Sequence, residues 1–206
     1  MGQVISFAQQ KGGAGKTTVL LHLAEAWRRA GRSVALLDLD PQRTLMSWAE
    51  QQTSDGLEII ESAGWRSGSD VRAAGRKHDV VLVDCPGNAS SLLEAALRES
   101  DLVLVPCQPT APDVWATGAI LKMAAREKVP ARVVLNRVPP RGGSTAEALV
   151  ALKSSGAEIL ASRLGNRVAF STGLMSGRTA YALARNSAAI REVDSLRDEL
   201  DGVLGA

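Results

Sequence analysis

Gln10-Lys11-Gly12-Gly13-Ala14-Gly15-Lys16-Thr17-Thr18 is the stretch whose reading decides the fold. It lies between a short apolar run, Val4–Ala8, and a helix-like segment. In that segment Leu20, Leu23, Ala24 and Trp27 fall at i, i+3, i+4 and i+7, and Gly31 follows as a stop. Strand, glycine-rich loop, helix is the context a phosphate-binding loop needs. The glycines let backbone N–H groups turn inward around phosphate oxygens, and the helix points its partial positive charge at the same anion. Lys16 is placed to reach the β- and γ-phosphates, and the Thr17 hydroxyl to ligate Mg²⁺. Gly12, Gly13, Ala14, Gly15 and Thr18 complete the cradle. Gln10 stands where the standard pattern has its first glycine. The competing reading is a glycine-rich turn that binds nothing.

Outward from the loop, apolar runs alternate with helix-like segments. Strands are expected at Val4–Ala8, Val34–Leu39, Leu57–Glu61, Val80–Asp84, Leu102–Pro106, Val133–Asn136 and, more weakly, Glu158–Leu160. Several are continuously hydrophobic rather than alternating, as in parallel strands buried on both faces. Further helices are expected around Ser91–Ser100, Val114–Lys128, Thr145–Ser155 and Ala188–Leu204. Strand then helix, repeated, implies right-handed crossovers and an α/β fold: a doubly wound, mostly parallel sheet flanked by helices. Pro139-Pro140-Arg141-Gly142-Gly143 reads as a loop, so residues 1–206 are expected to form one P-loop NTPase domain.

Composition narrows the class. The 206 residues are 45% hydrophobic and 3% aromatic, which suits one domain with an aliphatic core. A net charge of +2 says little about partners. Two cysteines, Cys85 and Cys107, are too few for a disulfide framework and lack metal-ligand spacing, so a reduced, cytoplasmic setting is expected. The start of the chain lacks the basic and apolar regions of a signal peptide. No apolar run approaches the roughly 20 residues of a membrane span.

Lys-Gly-Gly-x-Gly-Lys-Thr-Thr resembles the deviant Walker A motif of the ParA/MinD family, whose hallmark is the extra lysine, here Lys11. The resemblance implies that Lys11 reaches across an ATP-sandwiched homodimer to the partner's nucleotide. A second cation there stabilises charge that develops during γ-phosphoryl transfer. Asp38-Leu39-Asp40-Pro41-Gln42 looks like the family's second motif; Asp40 would orient the attacking water and join Mg²⁺ coordination through water, with Asp38 behind it. Val80–Asp84 is a hydrophobic strand ending in an acid, so Asp84 is the metal-side carboxylate, and Pro86-Gly87 resembles the start of a γ-phosphate-sensing switch. Asn136 stands at the family's base-recognition position and is expected to pair with the adenine edge. Its alternative is a capping Asn at a strand end. Pro109-Thr110-Ala111-Pro112-Asp113 resembles a loop near the family's dimer interface.

The back third is segregated in charge. From Ile159 to Arg191 there are five arginines, Arg163, Arg167, Arg178, Arg185 and Arg191, and no Asp or Glu. That is read as a footprint for nucleic-acid phosphates, with Arg163, Arg167 and Arg191 the candidate DNA contacts, against a merely solvated face. Gly165-Asn166-Arg167-Val168-Ala169-Phe170 and Ala188-Ala189-Ile190-Arg191-Glu192 also look like small ParA proteins, and no N-terminal helix-turn-helix is expected. The last helix is amphipathic but carries a net charge of −3 over Ile190–Leu204, which counts against a MinD-type membrane role and favours packing on the sheet.

The resemblance therefore implies an ATPase that uses ATP and Mg²⁺, dimerises, binds DNA non-specifically and becomes nucleoid-associated. A ParB-like or adaptor protein would stimulate its hydrolysis, and it would position a plasmid, a chromosome origin or a protein assembly. The alternatives are a carrier of electrons or metal clusters like relatives of the nitrogenase iron protein, and a small-molecule kinase on the same scaffold.

Overall fold

The computed structural model describes residues 1–52, 57–62, 64–88, 91–183 and 186–205. Its seven strands are β1 Gln3–Phe7, β2 Val34–Asp38, β3 Glu58–Glu61, β4 Val80–Asp84, β5 Leu102–Cys107, β6 Ala131–Val138 and β7 Ile159–Gly165. All pair in parallel in one sheet of order β3-β2-β4-β1-β5-β6-β7. The P-loop strand β1 thus lies between the acid-bearing β4 and β5. Helices α1 Lys16–Arg29, α2 Thr44–Ala49, α3 Ser67–Gly75, α4 Ser91–Arg98, α5 Ala111–Arg126, α6 Ser144–Ser154, α7 Ala180–Leu183 and α8 Ala188–Leu204 connect or cover the strands.

The two-residue period of a strand divides the core between the two faces. In β4, Val80 and Leu82 pack with Leu20, Leu23 and Trp27 of α1 and with Val193, Leu196 and Leu200 of α8. Val81 and Val83 pack on the other face with Leu93 and Leu97 of α4, Ile120 of α5 and Leu152 of α6. The aliphatic, doubly covered sheet expected from composition is present.

The departures have physical causes. β7 runs to Gly165, well past the expected Leu160, because it is a half-exposed edge strand with polar Ser162 and Arg163 inside it. The short helices α2, α3 and α7 carry too few apolar repeats to announce themselves. α3, with the sequence SGSDVRAAG, buries Val71 and Ala74 and has little helix propensity to advertise.

α8 packs as expected, with Ala189, Val193, Leu196 and Leu200 buried. Its acidic side is used internally as well. Glu199 accepts the N–H groups of Ala161 (2.7 Å) and Ser162 (2.8 Å), and Glu192 accepts that of Gly165 (3.0 Å). Carboxylates therefore cap the open edge of β7, where bare N–H groups would invite another strand. Among the described residues no helix is long and apolar enough to cross a membrane.

His22 of α1 ties the loop-bearing helix to the start of α7. It is 1% exposed, its Nδ1 donates to Thr18 O (2.7 Å), and its Nε2 accepts from Ala180 N (3.1 Å). Its ring meets Phe170 edge-on at 5.1 Å. Burial lowers its pKa to about 4, against the smaller raising effects of the Thr18 carbonyl and of Glu25. Protonation would turn Nε2 into a donor facing the Ala180 donor. The unfolded chain, with an ordinary imidazole near pH 6.5, binds more protons than the folded one between pH 6.5 and 4, so stability falls as pH falls through that window. The full shift corresponds to about 3 kcal/mol. Unfolding free energies from urea titrations at pH 7 to 4.5 should fall by that order, and a His22→Gln variant should flatten the slope. An equally steep slope in the variant would place the titration elsewhere.

Candidate nucleotide site

The loop after β1 is braced from below by amides that carry no motif. Gln9, fully buried, accepts from Gln10 N (2.9 Å) through Oε1 and donates through Nε2 to Pro106 O (3.2 Å) and Thr117 Oγ1 (3.1 Å). That side chain holds the loop where Gln10 replaces the usual glycine. Gln108 Nε2 donates to Gly13 O (2.9 Å), and Asn136 Nδ2 to Ala14 O (2.8 Å). Gly15 caps α1 at φ 94 with no side-chain cap, leaving the first-turn N–H groups for an anion. A Cβ at Gly15 would fall 2.4 Å from Asn136 Nδ2, so glycine is required there.

Above the loop lies a cavity of about 620 Å³ lined by Gly12, Gly13, residues 15–18, Asp40, Pro41, Gln42, Thr44, Gly87, Asn88 and Arg137. Lys16 Nζ folds back to Gln9 O (3.4 Å) and lies beside Gly87. Lys11 is exposed, touches Gly12 O (3.3 Å) and does not line this cavity.

The acids come from β2 and β4, as expected. Asp84 is fully buried; its Oδ2 accepts from Thr17 Oγ1 at 2.5 Å, and its Oδ1 has no hydrogen-bond partner. Burial pushes its pKa up to about 7, against the Thr17 hydrogen bond and the Lys16 charge, which lower it. A carboxylate with an orphaned oxygen beside a threonine hydroxyl fits a hard divalent cation. Mg²⁺ uses one or two protein oxygens and takes the rest from water and nucleotide phosphates. Asp38 Oδ1 accepts from Asp40 N (3.1 Å) and its Oδ2 from Met46 N (3.0 Å), so it fixes the turn that presents Asp40 and caps α2. Burial raises the Asp38 pKa, with the Met46 and Asp40 hydrogen bonds opposing. Asp40 Oδ1 accepts only the Gln42 N–H (3.0 Å) and reaches the cavity.

Two of the expected residues are already engaged by other groups. Asn136 does not line the cavity: its amide donates to Ala14 and its carbonyl accepts from Arg137 N (2.9 Å), which makes it a strut under the loop. Its neighbour Arg137 lines the cavity instead, with no motif to signal it. Of the candidate DNA contacts, Arg163 and Arg191 are exposed, but Arg167 is held by Glu192 (Nη2 to Oε1, 2.5 Å) and is not a free cation. The stretch without acids in sequence meets the acids of α8 in space. Arg185 lies outside the described residues. The buried Cys85, pushed up to about 12 by desolvation, and the buried Cys107 are not a surface thiolate pair of the kind a shared metal cluster requires.

The CobQ/CobB/MinD/ParA nucleotide binding domain matches residues 5–180. The maintenance of carboxysome distribution protein A of Halothiobacillus neapolitanus is 28% identical over 206 aligned positions, covering 95% of each chain. A protein ParA of Rhizobium radiobacter is 31% identical, covering 87% of this chain and 86% of its own. Among solved structures, apo McdA from Cyanothece superposes with a TM-score of 0.82 at 15% identity, over 97% of this chain and all of that one. A putative plasmid partition protein from Borrelia burgdorferi bound to AMPPNP superposes at 0.79 and 16%, over 98% of this chain and all of that one.

Proposed function

The chain belongs to the CobQ/CobB/MinD/ParA nucleotide-binding family and is an ATPase, and on that premise we propose that it is a nucleotide-switched positioning protein. It closes with ATP and Mg²⁺ into a sandwich dimer, binds DNA without sequence preference in that state, and is reset by a partner that stimulates hydrolysis. The cargo is DNA or a protein assembly, the two kinds named for the plasmid partition protein and the carboxysome distribution protein that the chain is similar to. The observation that carries the dimer is Lys11. It is an exposed cation at the rim of the phosphate loop that does not line its own cavity, so a second copy is the natural site of its action.

In the mechanism, the loop N–H groups and Lys16 hold the phosphates, while Thr17 and Asp84, with Asp40 acting through water, would hold Mg²⁺. The metal, when bound, neutralises charge on the β- and γ-phosphates. Asp40 orients the attacking water, and Lys11 of the second copy offsets charge that builds up as the γ-phosphoryl group leaves. Asp38 keeps Asp40 in position.

DNA retention with ATP, with ADP and without nucleotide, across a salt series, tests the track. Retention is expected with ATP only, with a log–log salt slope of about −0.9 per phosphate contact. Charge reversal at Arg163 or Arg191 should weaken it and leave ATP affinity unchanged. Reversal at Arg167 should instead lower the melting temperature, because it breaks the Glu192 pair between the segment after β7 and α8. Equal retention in all three nucleotide states would contradict a nucleotide-switched DNA surface.

A further inference from the structure

A circuit of hydrogen bonds grips the first half of the phosphate loop at two points and runs through the turn between β5 and α5. At one point Gln9 Oε1 accepts the N–H groups of Gln10 (2.9 Å) and Lys11 (3.4 Å). Gln9 Nε2 donates to Pro106 O (3.2 Å) and to Thr117 Oγ1 (3.1 Å). Thr117 Oγ1 donates in turn to Asp113 O (2.9 Å), and Asp113 Oδ1 accepts from Gln108 N (3.4 Å). The Gln108 side chain then closes the circuit on Gly13 O (2.9 Å). Gln9, Asp113 and Thr117 are all buried.

The Gln9 amide has no freedom in this arrangement. Its oxygen accepts twice and its nitrogen donates twice, so turning it over would set donors against donors and acceptors against acceptors. The Lys11 side chain is the opposite case. It is exposed, and its Nζ has one hydrogen-bond partner among the described residues, Gly12 O at 3.3 Å. A lysine stem is flexible and has no fixed direction of its own. Its backbone therefore sets the region that the ammonium can reach, and Gln9 holds that backbone. Lys16 and Thr17 are placed by a different element, the first turn of α1.

We propose that Gln9 is the positioning residue of Lys11, and that Thr117, through the Gln9 amide, makes α5 the anchor of that position. The inference rests on the reading that Lys11 acts in a second copy. It adds that the ammonium reaches that copy only while the circuit is closed. Nucleotide binding within one copy, which depends on Lys16, does not require it.

The full-length wild type is compared with Thr117→Val, Thr117→Ser, Gln9→Met, Lys11→Ala and the Lys11→Ala/Thr117→Val double variant. The readouts are ATP-dependent dimerisation, ADP affinity and turnover at saturating ATP. Valine keeps the volume of threonine without the hydroxyl; serine keeps the hydroxyl without the methyl. Thr117→Val should weaken the ATP dimer about tenfold, the worth of one hydrogen bond. Its turnover should fall about 10- to 100-fold, as for a reacting group misplaced by about an ångström, with ADP affinity unchanged. Gln9→Met should repeat that pattern, and Thr117→Ser should behave as the wild type does. In the Lys11→Ala background the valine should lower residual turnover no further.

A normal ATP dimer in Thr117→Val, or in a folded Gln9→Met, would overturn the proposal. A defect in the serine variant but not in the valine variant would reduce Thr117 to packing. A parallel loss of ADP affinity would overturn it in favour of a general brace under the phosphates. The same fold-loss on top of Lys11→Ala would show that the circuit acts through another group. A Lys11→Ala protein that itself dimerises and turns over normally would remove the reading beneath the proposal, a failure that the Thr117 variants alone cannot produce.

Discussion

Lys16→Ala is expected to lose nucleotide binding altogether, by about 100-fold or more in affinity for both ATP and ADP. The phosphates carry several negative charges, and loop amides alone supply dipoles rather than a cation; charge-assisted contacts are the strong ones at such a site. The fold should survive, because among the described residues Lys16 Nζ makes one hydrogen bond, a long one of 3.4 Å to Gln9 O, and Lys16 is not part of the core. Titration with a fluorescent ATP analogue, alongside a thermal melt, reads both quantities. Wild-type affinity in the variant would mean that the cavity above the loop is not the phosphate site.

Asp40→Ala should show the opposite profile, with ATP bound, the dimer formed, and turnover reduced on the order of 10²-fold, the usual loss for one water-orienting group. Only the Gln42 N–H depends on the Asp40 carboxylate, so little structure is lost with it. Asp38 differs, since its buried carboxylate holds both Asp40 N and Met46 N, and replacing it should lower the melting temperature together with the rate. Phosphate release and dimer lifetime, measured together, separate the two. Undiminished turnover in Asp40→Ala would take Asp40 out of the mechanism.

The strands that build the site were legible because each is a continuous apolar run ending in a functional residue: Val80–Asp84 predicted β4 to the residue, and the loop between Phe7 and Lys16 announced itself by its glycines. β7 was harder because an edge strand mixes polar and apolar positions, and its true partners are carboxylates 27 to 38 residues further on. Gln9 and Gln108 were invisible for a related reason, since an amide that braces a loop from below carries no spacing signature. Asn136 was read for its fit to an adenine edge, and its bond to Ala14 O at 2.8 Å was not legible, because only the fold brings that loop carbonyl to it. Charge counted along the chain marked Arg167 as free; Glu192, 25 residues later, pairs with it.

ATP is expected to bring two copies together through Lys11. Light scattering of the wild type and of Lys11→Ala, each with Mg²⁺ and either ATP or ADP, tests it most directly. The wild type should be a dimer with ATP and a monomer with ADP, and Lys11→Ala a monomer under both conditions although it still binds ADP. A Lys11→Ala protein that dimerises with ATP as the wild type does would contradict it.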